Sequence, residues 1–300
     1  MKGYALESAI PGRYLIGEYL FLAKPGIVSL VLMSTLTGLC IGSRGVPDVW
    51  LAFWVMCGVG LATAGSALLN NYFDRDIDRL MERTHARALA VEAVSPRNTM
   101  ISGIILNATG ILLLKIVVNS LSSILTAVAV LSYILLYTII LKRRTSFANQ
   151  VGGIAGALPP AIGYVAVTQS IDIKALILFL IVAIWQQPHA LSIALKYKDE
   201  YANACIPVVP VAKGVSSTKK WIAIYTILLL LVSILPYIYG TAGLFYLSVS
   251  IPLGLFYLAL AVRFLLSKRE CDMSLFFFSI LYIMILFAGM ILDMQFPPPR

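Results

Sequence analysis

The sequence predicts an all-α integral membrane protein, a bundle of nine transmembrane helices in a single domain that covers residues 1–300. The chain is 60% apolar and only 12% charged, and its mean hydropathy is +0.89. Apolar stretches of about 20 residues, the length that crosses a bilayer, recur along the chain. Strand-like alternation is missing from these stretches, and backbone groups in lipid must pair internally. Each stretch is therefore predicted to be a helix.

The nine predicted spans follow one another with short breaks between most of them. They cover residues 25–43, 49–70, 98–118, 121–141, 150–168, 172–190, 219–239, 243–266 and 274–293. A short turn at Asn119 and Ser120 separates the third and fourth spans, which predicts a tight hairpin. Two longer polar loops, at about 71–97 and 191–218, follow the second and sixth spans and therefore face the same side of the membrane.

The basic residues predict the orientation of the bundle. All but four of the 23 lysines and arginines fall on the side that holds the N-terminus and the two long loops. The four exceptions are Arg44, Lys115, Lys174 and Arg300. Because cytoplasmic segments are enriched in Lys and Arg, we expect a multi-pass protein of the cell (inner) membrane with a cytoplasmic N-terminus and an external C-terminus. The net charge of +9 is spread over separate loops, which argues against nucleic-acid binding.

The most informative residues are Asn70, Asp74 and Asp78 at the end of the second span. They recur every fourth residue, so they share one face of a helix, whereas Asp76 points about 200° away from Asp74. Such a concentration of charge is costly beside a bilayer. Hard oxygen ligands of this kind suit Mg²⁺, which binds a few carboxylates and completes its shell with water and phosphate oxygens. The pattern predicts diphosphate chemistry at a membrane surface.

Further motifs give the chain a family resemblance. The first block is Asn70-x-x-x-Asp74-x-Asp76-x-Asp78 followed by Met81-x-Arg83-Thr84-x-x-Arg87. The other blocks, in chain order, are Lys24-Pro25, Ser95-Pro96-Arg97-Asn98, Tyr137-Thr138 with Lys142-Arg143-x-Thr145, Gly153-x-x-Gly156-Ala157-Leu158-Pro159-Pro160-x-x-Gly163, Pro188-His189, and Tyr201-x-x-Ala204-x-Ile206-Pro207-Val208-x-Pro210-Val211-x-Lys213-Gly214. Together, over about residues 20–220, they resemble the UbiA superfamily of intramembrane prenyltransferases. The last three spans match that superfamily only in hydropathy.

The resemblance implies nine helices around a central cavity, with the two acidic loops at its cytoplasmic mouth. The branch of the superfamily that this chain resembles transfers a farnesyl group from farnesyl diphosphate to a vinyl group of haem B and releases diphosphate. The implied cofactor is Mg²⁺, and the implied partners are farnesyl diphosphate, haem B and the lipid bilayer. A haem A synthase or a terminal oxidase is the implied assembly partner.

The acidic residues are the predicted metal ligands. Asn70, Asp74 and Asp78 are expected to bridge Mg²⁺ to the diphosphate, and the two aspartates are counted as catalytic. Asp199 and Glu200 take the place of the family's second acidic motif, which implies a further Mg²⁺ site. A solvated surface pair is the alternative for Asp199 and Glu200.

The basic residues are predicted to bind the anionic groups. The diphosphate gains negative charge as the allylic C–O bond breaks, so metal and basic side chains should stabilise that transition state. Arg83 is the first catalytic candidate. The predicted diphosphate- or haem-binding residues are Asn70, Arg87, Lys142, Arg143, Lys196, Lys198 and Tyr201. The alternative for the arginines is that they only fix the topology.

His189 follows Pro188 at the predicted cytoplasmic end of the sixth span. Because the implied acceptor is an iron porphyrin, we predict that His189 is an axial ligand or positions the acceptor. A hydrogen-bonded packing residue is the alternative. Aromatic faces stabilise cations without capturing them. The aromatic candidates are Tyr72, Phe73, Tyr133, Tyr137, Tyr164 and Trp185.

Departures from the family pattern bear on the acceptor. The usual Arg-Pro-Leu-Pro is Arg87-Ala88-Leu89-Ala90 here, and the usual aromatic pair after His189 is Ala190-Leu191. Two other functions therefore stay open: a UbiA-type transferase with an aromatic or quinone-precursor acceptor, and a non-catalytic membrane transporter or assembly factor. Broken helices around a polar site would suit a transporter as well.

Overall fold

The computed structural model describes residues 12–294, and all regular secondary structure in that part of the chain is helical. The helices are α1 (Gly12–Leu22), α2 (Pro25–Ser43), α3 (Val49–Leu80), α4 (Pro96–Leu113), α5 (Ser120–Leu131), α6 (Ala148–Thr168), α7 (Ile173–Lys196), α8 (Lys198–Asn203), α9 (Val209–Val232), α10 (Leu235–Ile238), α11 (Leu244–Leu266) and α12 (Met273–Asp293). The charge argument also uses Lys2 and Arg300, which lie outside the described residues.

The described residues form nine helical segments that are long and apolar enough to cross a membrane. These segments are α2, α3, α4, α5, α6, α7, α9 with α10, α11 and α12, where α4 and α5 include π-helical continuations over Leu114–Val118 and Ser132–Leu141. The predicted fold class and the number of spans are confirmed. The short helix α1 precedes the first span and is not one of the nine.

The two predicted loops are shorter in the structure than in the sequence analysis. Helix α3 continues to Leu80, so residues 71–80 are helical rather than part of a loop over 71–97. Likewise α7 continues to Lys196 and α9 begins at Val209, which corrects the predicted loop at 191–218. Hydropathy ends a span where charge begins, but a helix continues past the lipid as long as its polar side chains find partners.

Glycines let α2 and α6 pack with their backbones almost in contact. A Cβ atom added at Gly38 would lie 1.9 Å from the carbonyl oxygen of Pro160, and one at Gly163 would lie 2.0 Å from that of Thr35. Small residues at helix contacts have this effect in membranes. Gly152 serves another purpose, because its missing Cβ leaves room for the ring of Tyr137, whose Cδ2 would be 2.4 Å away.

The fold brings three helix ends to one place. Lys24 stands at the start of α2, residues 70–80 form the last turns of α3, and Lys142 follows the π-helical end of α5. The π-helical turn stacks Tyr133 on Tyr137, with ring centroids 5.7 Å apart. Such π-helical segments often occur at functional sites.

We predict that Gly38→Val destabilises the protein, because the added side chain must push α2 away from α6. The expected cost is on the order of 1–3 kcal/mol, typical of overpacking a core. The matched control is Gly60→Val, since a Cβ at Gly60 would meet only Leu32, at an ordinary distance of 3.6 Å. Thermal unfolding of both purified variants in detergent measures the difference. Equal shifts in unfolding temperature would contradict the packing argument.

Candidate functional site

Asn70, Asp74 and Asp78 lie on one face of α3, as their spacing predicts, and all three side chains are buried. The side-chain nitrogen Nδ2 of Asn70 donates to Oδ2 of Asp74 at 2.7 Å and to Oγ1 of Thr138 at 3.2 Å. Asp74 is only 2% exposed. Two buried carboxylates so close together require positive partners.

Each of these three side chains is paired with a cation from a different segment. The pairs are Lys24 Nζ with Asn70 Oδ1 at 2.7 Å, Lys142 Nζ with Asp74 Oδ2 at 2.5 Å, and Arg87 Nη1 with Asp78 Oδ1 at 3.0 Å and Oδ2 at 2.9 Å. We call these six residues the charged cluster. Three cations face two carboxylates in it, so the charged cluster is suited to an anion.

The cations of the charged cluster influence one another. Burial, together with the nearby Arg87 and Lys142, lowers the pKa of Lys24 to about 7. Burial alone would also lower the pKa of Lys142, but the adjoining Asp74 carboxylate outweighs it, and the net shift of that pKa is upward. Lys142 therefore keeps its proton at neutral pH, whereas Lys24 loses its proton much more easily.

The donor set of the charged cluster fits Mg²⁺ when a diphosphate is bound. Oδ1 of Asp74 is buried and accepts no hydrogen bond among the described contacts, so it is free to bind a metal. Within residues 12–294 no group of three or more His, Cys, Asp or Glu side chains could hold a metal on its own. Mg²⁺ needs only one or two carboxylates when water and phosphate oxygens complete its shell. Asp74 and Asp78 offer two carboxylates, and Asn70 offers an amide oxygen.

Asp76 and Arg143 pair on the outer side of α3. Both guanidinium nitrogens of Arg143 bind the Asp76 carboxylate at 2.7 Å, and Arg143 also donates to the backbone oxygen of Phe73. The side chains are 61% and 42% exposed. Asp76 thus points away from Asp74, as predicted, and the structure does not bring Arg143 to the charged cluster.

The second acidic motif lies on the surface near the first loop. The Asp199 side chain is 91% exposed and 4.0 Å from Lys198. Glu200 accepts a hydrogen bond from the backbone nitrogen of Arg83 at 3.0 Å. Glu200 therefore joins the two loops, and neither carboxylate is brought into the charged cluster.

The remaining predicted basic residues also lie around this second motif. The guanidinium of Arg83 is 5.0 Å from the Tyr197 ring centroid, and the ammonium of Lys196 is 5.1 Å from it. Lys198 binds Glu270 at 3.2 Å. Tyr201, by contrast, lines a small cavity of about 150 Å³ together with Lys142, which places it beside the charged cluster.

A cavity of about 470 Å³ lies inside the bundle, and Lys24 of the charged cluster is among the residues that line it. Most of its wall is apolar, and Phe287 of α12 also contributes to it. A volume between 300 and 1,000 Å³ is usual for small-molecule sites. Three of the predicted aromatic residues line it, namely Tyr133, Tyr137 and Trp185.

The other aromatic candidates lie elsewhere. The hydroxyl of Tyr164 donates to Asp172 at 2.7 Å, at the opposite end of α6. Tyr72 packs under the guanidinium of Arg75, 4.5 Å from its ring centroid, and Phe73 contacts Tyr72 edge-on. These three rings have structural contacts of their own.

His189 lines the same cavity, and its ring is held on several sides. The ring stacks on Trp185 at 5.1 Å and on Phe276 at 4.7 Å, and Nδ1 lies 2.7 Å from Oγ of Ser279. Because α7 continues to Lys196, His189 lies within the helix rather than at its end. That position corrects the predicted end of the sixth span.

The replaced aromatic pair has two different outcomes. Ala190 lines the cavity, where a larger side chain would fill part of it. Leu191 is only 1% exposed and packs in the main hydrophobic core. Only the first of these departures changes the shape of the cavity.

The sequence analysis missed three residues of this site. Lys24 precedes Pro25 at the start of a span, where a basic residue is normally explained by topology. Thr138 and Ser279 are single hydroxyls in apolar helices. The Lys24-Pro25 and Tyr137-Thr138 motifs could have indicated two of the three, whereas no motif includes Ser279.

A charged cluster that shares Lys24 with an apolar cavity inside a membrane bundle suits an enzyme whose substrate has an anionic head and a lipid tail. The chain belongs to the UbiA prenyltransferase family, whose model matches residues 31–286, and it is a prenyltransferase.

Two curated relatives match nearly the whole chain. Protoheme IX farnesyltransferase of Aquifex aeolicus is 48% identical over 96% of this chain and 99% of its own length. Protoheme IX farnesyltransferase of Neorickettsia sennetsu is 40% identical over 93% and 92%.

Solved structures show the same fold at low identity. Digeranylgeranylglyceryl phosphate synthase gives a TM-score of 0.78 at 18% identity, covering 93% of this chain and 98% of its own. A UbiA homologue from Archaeoglobus fulgidus bound to GPP and Mg²⁺ gives 0.65 at 18% identity, covering 91% and 99%. The expected UbiA-type bundle is thereby confirmed.

We predict that Lys142→Ala and Arg143→Ala have very different effects on the reaction rate, although the two residues are neighbours in the chain. Losing Lys142 removes a cation from the charged cluster, so the rate of diphosphate release from a prenyl diphosphate should fall roughly a hundredfold. Losing Arg143 breaks only an exposed pair, so we expect a change within about twofold.

The control for folding is Lys142→Arg, which keeps the charge beside the buried Asp74 and should retain the unfolding temperature. Similar losses of rate in Lys142→Ala and Arg143→Ala, at equal stability, would contradict the assignment of Lys142 to the site.

Proposed function

We propose that this prenyltransferase transfers a farnesyl group from farnesyl diphosphate to a vinyl group of haem B and releases diphosphate. The observation that carries the proposal is one largely apolar cavity whose wall includes both Lys24 of the charged cluster and His189. The similarity to the two protoheme IX farnesyltransferases, over more than nine-tenths of the chain, supports the choice of both substrates.

The charged cluster binds the diphosphate head. Asn70, Asp74 and Asp78 would hold one Mg²⁺, and that ion together with a triply charged diphosphate would bring the cluster to neutrality. Bound Mg²⁺ supplies positive charge where the leaving diphosphate becomes more negative. Lys142 and Arg87 then turn from the carboxylates, and Lys24 from the Asn70 amide oxygen, towards the phosphate oxygens, where charge-assisted hydrogen bonds are strong.

The apolar cavity binds the farnesyl tail and shelters the allylic cation. As the C–O bond breaks, the electron pair leaves with the diphosphate and positive charge develops on the allyl group. The rings of Tyr133, Tyr137 and Trp185 line the cavity and stabilise this charge without reacting with it. The vinyl group of haem B then supplies the electron pair of the new C–C bond, which leaves a carbocation next to the porphyrin ring. Water adds to this carbocation and loses a proton, so that the product carries a hydroxyl on its new side chain.

His189 positions the acceptor as an axial ligand of the haem iron. Imidazole is a common haem ligand, and the stacked rings of Trp185 and Phe276 keep its orientation fixed. The small Ala190 beside it leaves space for a wide ring system. The product would pass to an enzyme that oxidises the haem or to a terminal oxidase.

The orientation proposed from the charges places the charged cluster in the cytoplasmic leaflet of the cell (inner) membrane. Cys205 and Cys271 lie between spans on the proposed cytoplasmic side, and Cys205 is exposed. We predict that a membrane-impermeant maleimide labels Cys205 in inverted vesicles and not in intact cells.

The control for this experiment is Ser170→Cys in a Cys205→Ser background. Ser170 is exposed and lies in the loop between α6 and α7, on the opposite side. It should react in intact cells. Labelling of Cys205 in intact cells would show that the protein has the opposite orientation in the membrane.

The metal assignment predicts that Asp74→Ala abolishes transfer, whereas Asp76→Ala stays within about twofold of wild type because its carboxylate pairs outside the cluster. EDTA should stop the wild-type reaction and added Mg²⁺ should restore it. Diphosphate release and the mass of the haem product, measured with purified protein, farnesyl diphosphate and haem B, test this. Turnover that survives EDTA would remove the metal from the mechanism.

The same assay distinguishes the other functions. A farnesylated haem, detected by chromatography and mass after incubation, supports the proposal. Release of diphosphate only with an aromatic or quinone-precursor acceptor would show that such a compound, and not haem B, is the acceptor. Movement of an intact prenyl diphosphate across vesicles, without cleavage, would make the protein a transporter.

A further inference from the structure

One residue of α12 holds two cavity residues of α7. Ser279 is fully buried, and its backbone oxygen accepts a hydrogen bond from Nε1 of Trp185 at 2.6 Å. Its side-chain Oγ lies 2.7 Å from Nδ1 of His189. Trp185 and His189 are four residues apart and therefore share a face of α7. Ser279 contacts both through different atoms.

The hydrogen bonds around Ser279 determine the tautomer of His189. A serine hydroxyl has one hydrogen, and Oγ of Ser279 donates it to the backbone oxygen of Phe276 at 2.6 Å. With its hydrogen directed there, Oγ accepts from the imidazole, which favours the tautomer of neutral His189 that has its proton on Nδ1. This assignment follows from the hydrogen-bond network and leaves the lone pair on Nε2.

The position of His189 makes this tautomer significant. Nδ1 is occupied by Ser279, so Nε2 is the ring nitrogen available to a molecule in the cavity that His189 lines. An imidazole that binds iron through one nitrogen usually donates from the other to a fixed acceptor. Ser279 is such an acceptor, and it comes from a helix 90 residues away in the chain.

We propose that Ser279 is a positioning residue for the haem acceptor: its Oγ accepts the Nδ1 proton of His189 and fixes Nε2 as the iron ligand. This inference rests on the proposed function, because it needs haem B as the acceptor. Ser279 does not touch the reacting atoms and acts through His189.

The test compares Ser279→Ala, Ser279→Thr and His189→Ala in the purified full-length protein. Ser279→Ala removes only Oγ, because Trp185 binds the backbone oxygen, and the fold should be kept. Thr restores the hydroxyl, since Thr Oγ1 can bond a carbonyl three or four residues back in a helix. The matched control is Ser233→Ala, which removes an equally buried hydroxyl that pairs with Tyr282 outside the cavity.

Absorption and magnetic circular dichroism spectra, recorded while haem B is added, give both ligation and affinity. We expect Ser279→Ala to weaken haem binding roughly tenfold or more and to lose the spectrum of histidine-ligated iron. The KM for haem B should rise while the KM for farnesyl diphosphate is unchanged. Ser279→Thr and Ser233→Ala should both resemble wild type.

The outcomes separate this inference from the proposed function. A wild-type protein that farnesylates haem, with unchanged spectra and affinity in Ser279→Ala, overturns the inference alone. Unchanged spectra in His189→Ala overturn it as well, because His189 is then not the ligand. A wild-type protein that binds haem B but forms no farnesylated product overturns the proposed function.

Discussion

The burial of two carboxylates at the end of α3 is the constraint on which the rest of the site depends. Asp74 and Asp78 lie where water is scarce, and removing the partner of a buried charge costs about 3–5 kcal/mol. Their partners come from two other segments: Arg87 from the loop between α3 and α4, and Lys142 from just after the π-helical end of α5. The ion pairs therefore hold the loop after α3 and the end of α5 against the end of α3.

The same pairing provides the chemistry. A carboxylate that is paired with an ammonium or guanidinium can exchange that partner for a metal ion, and the released cation can then bind the phosphate that the metal brings with it. Lys24 adds a third cation through Asn70, and its pKa is lowered first by burial and then by the neighbouring Arg87 and Lys142. In the proposed function the same ion pairs thus stabilise the fold and select a polyanion.

The sequence predicts the spans and the shared face of Asn70, Asp74 and Asp78, because hydropathy and a spacing of four are local properties. It does not predict which cation meets which carboxylate. Arg83 lies close to the aspartates in sequence, yet it stacks over Tyr197, whereas Lys24 is 46 residues from Asn70 and binds it. Such contacts depend on how whole helices pack. For the same reason nothing in the apolar sequence of α12 distinguishes Ser279.

The residues of the site come from two different parts of the bundle, which we call the two ends of the site, and this gives the helix packing a chemical consequence. The segments from α2 to α5 supply the charged cluster, while α7 and α12 supply Trp185, His189 and Ser279. Helix α6 lies between them, lines the cavity and contacts α2 through Gly38 and Gly163. Backbone contact leaves no side chain to adjust, so it sets the separation of the two ends closely. In the proposed reaction that separation decides whether the allylic cation meets the vinyl group before it meets water.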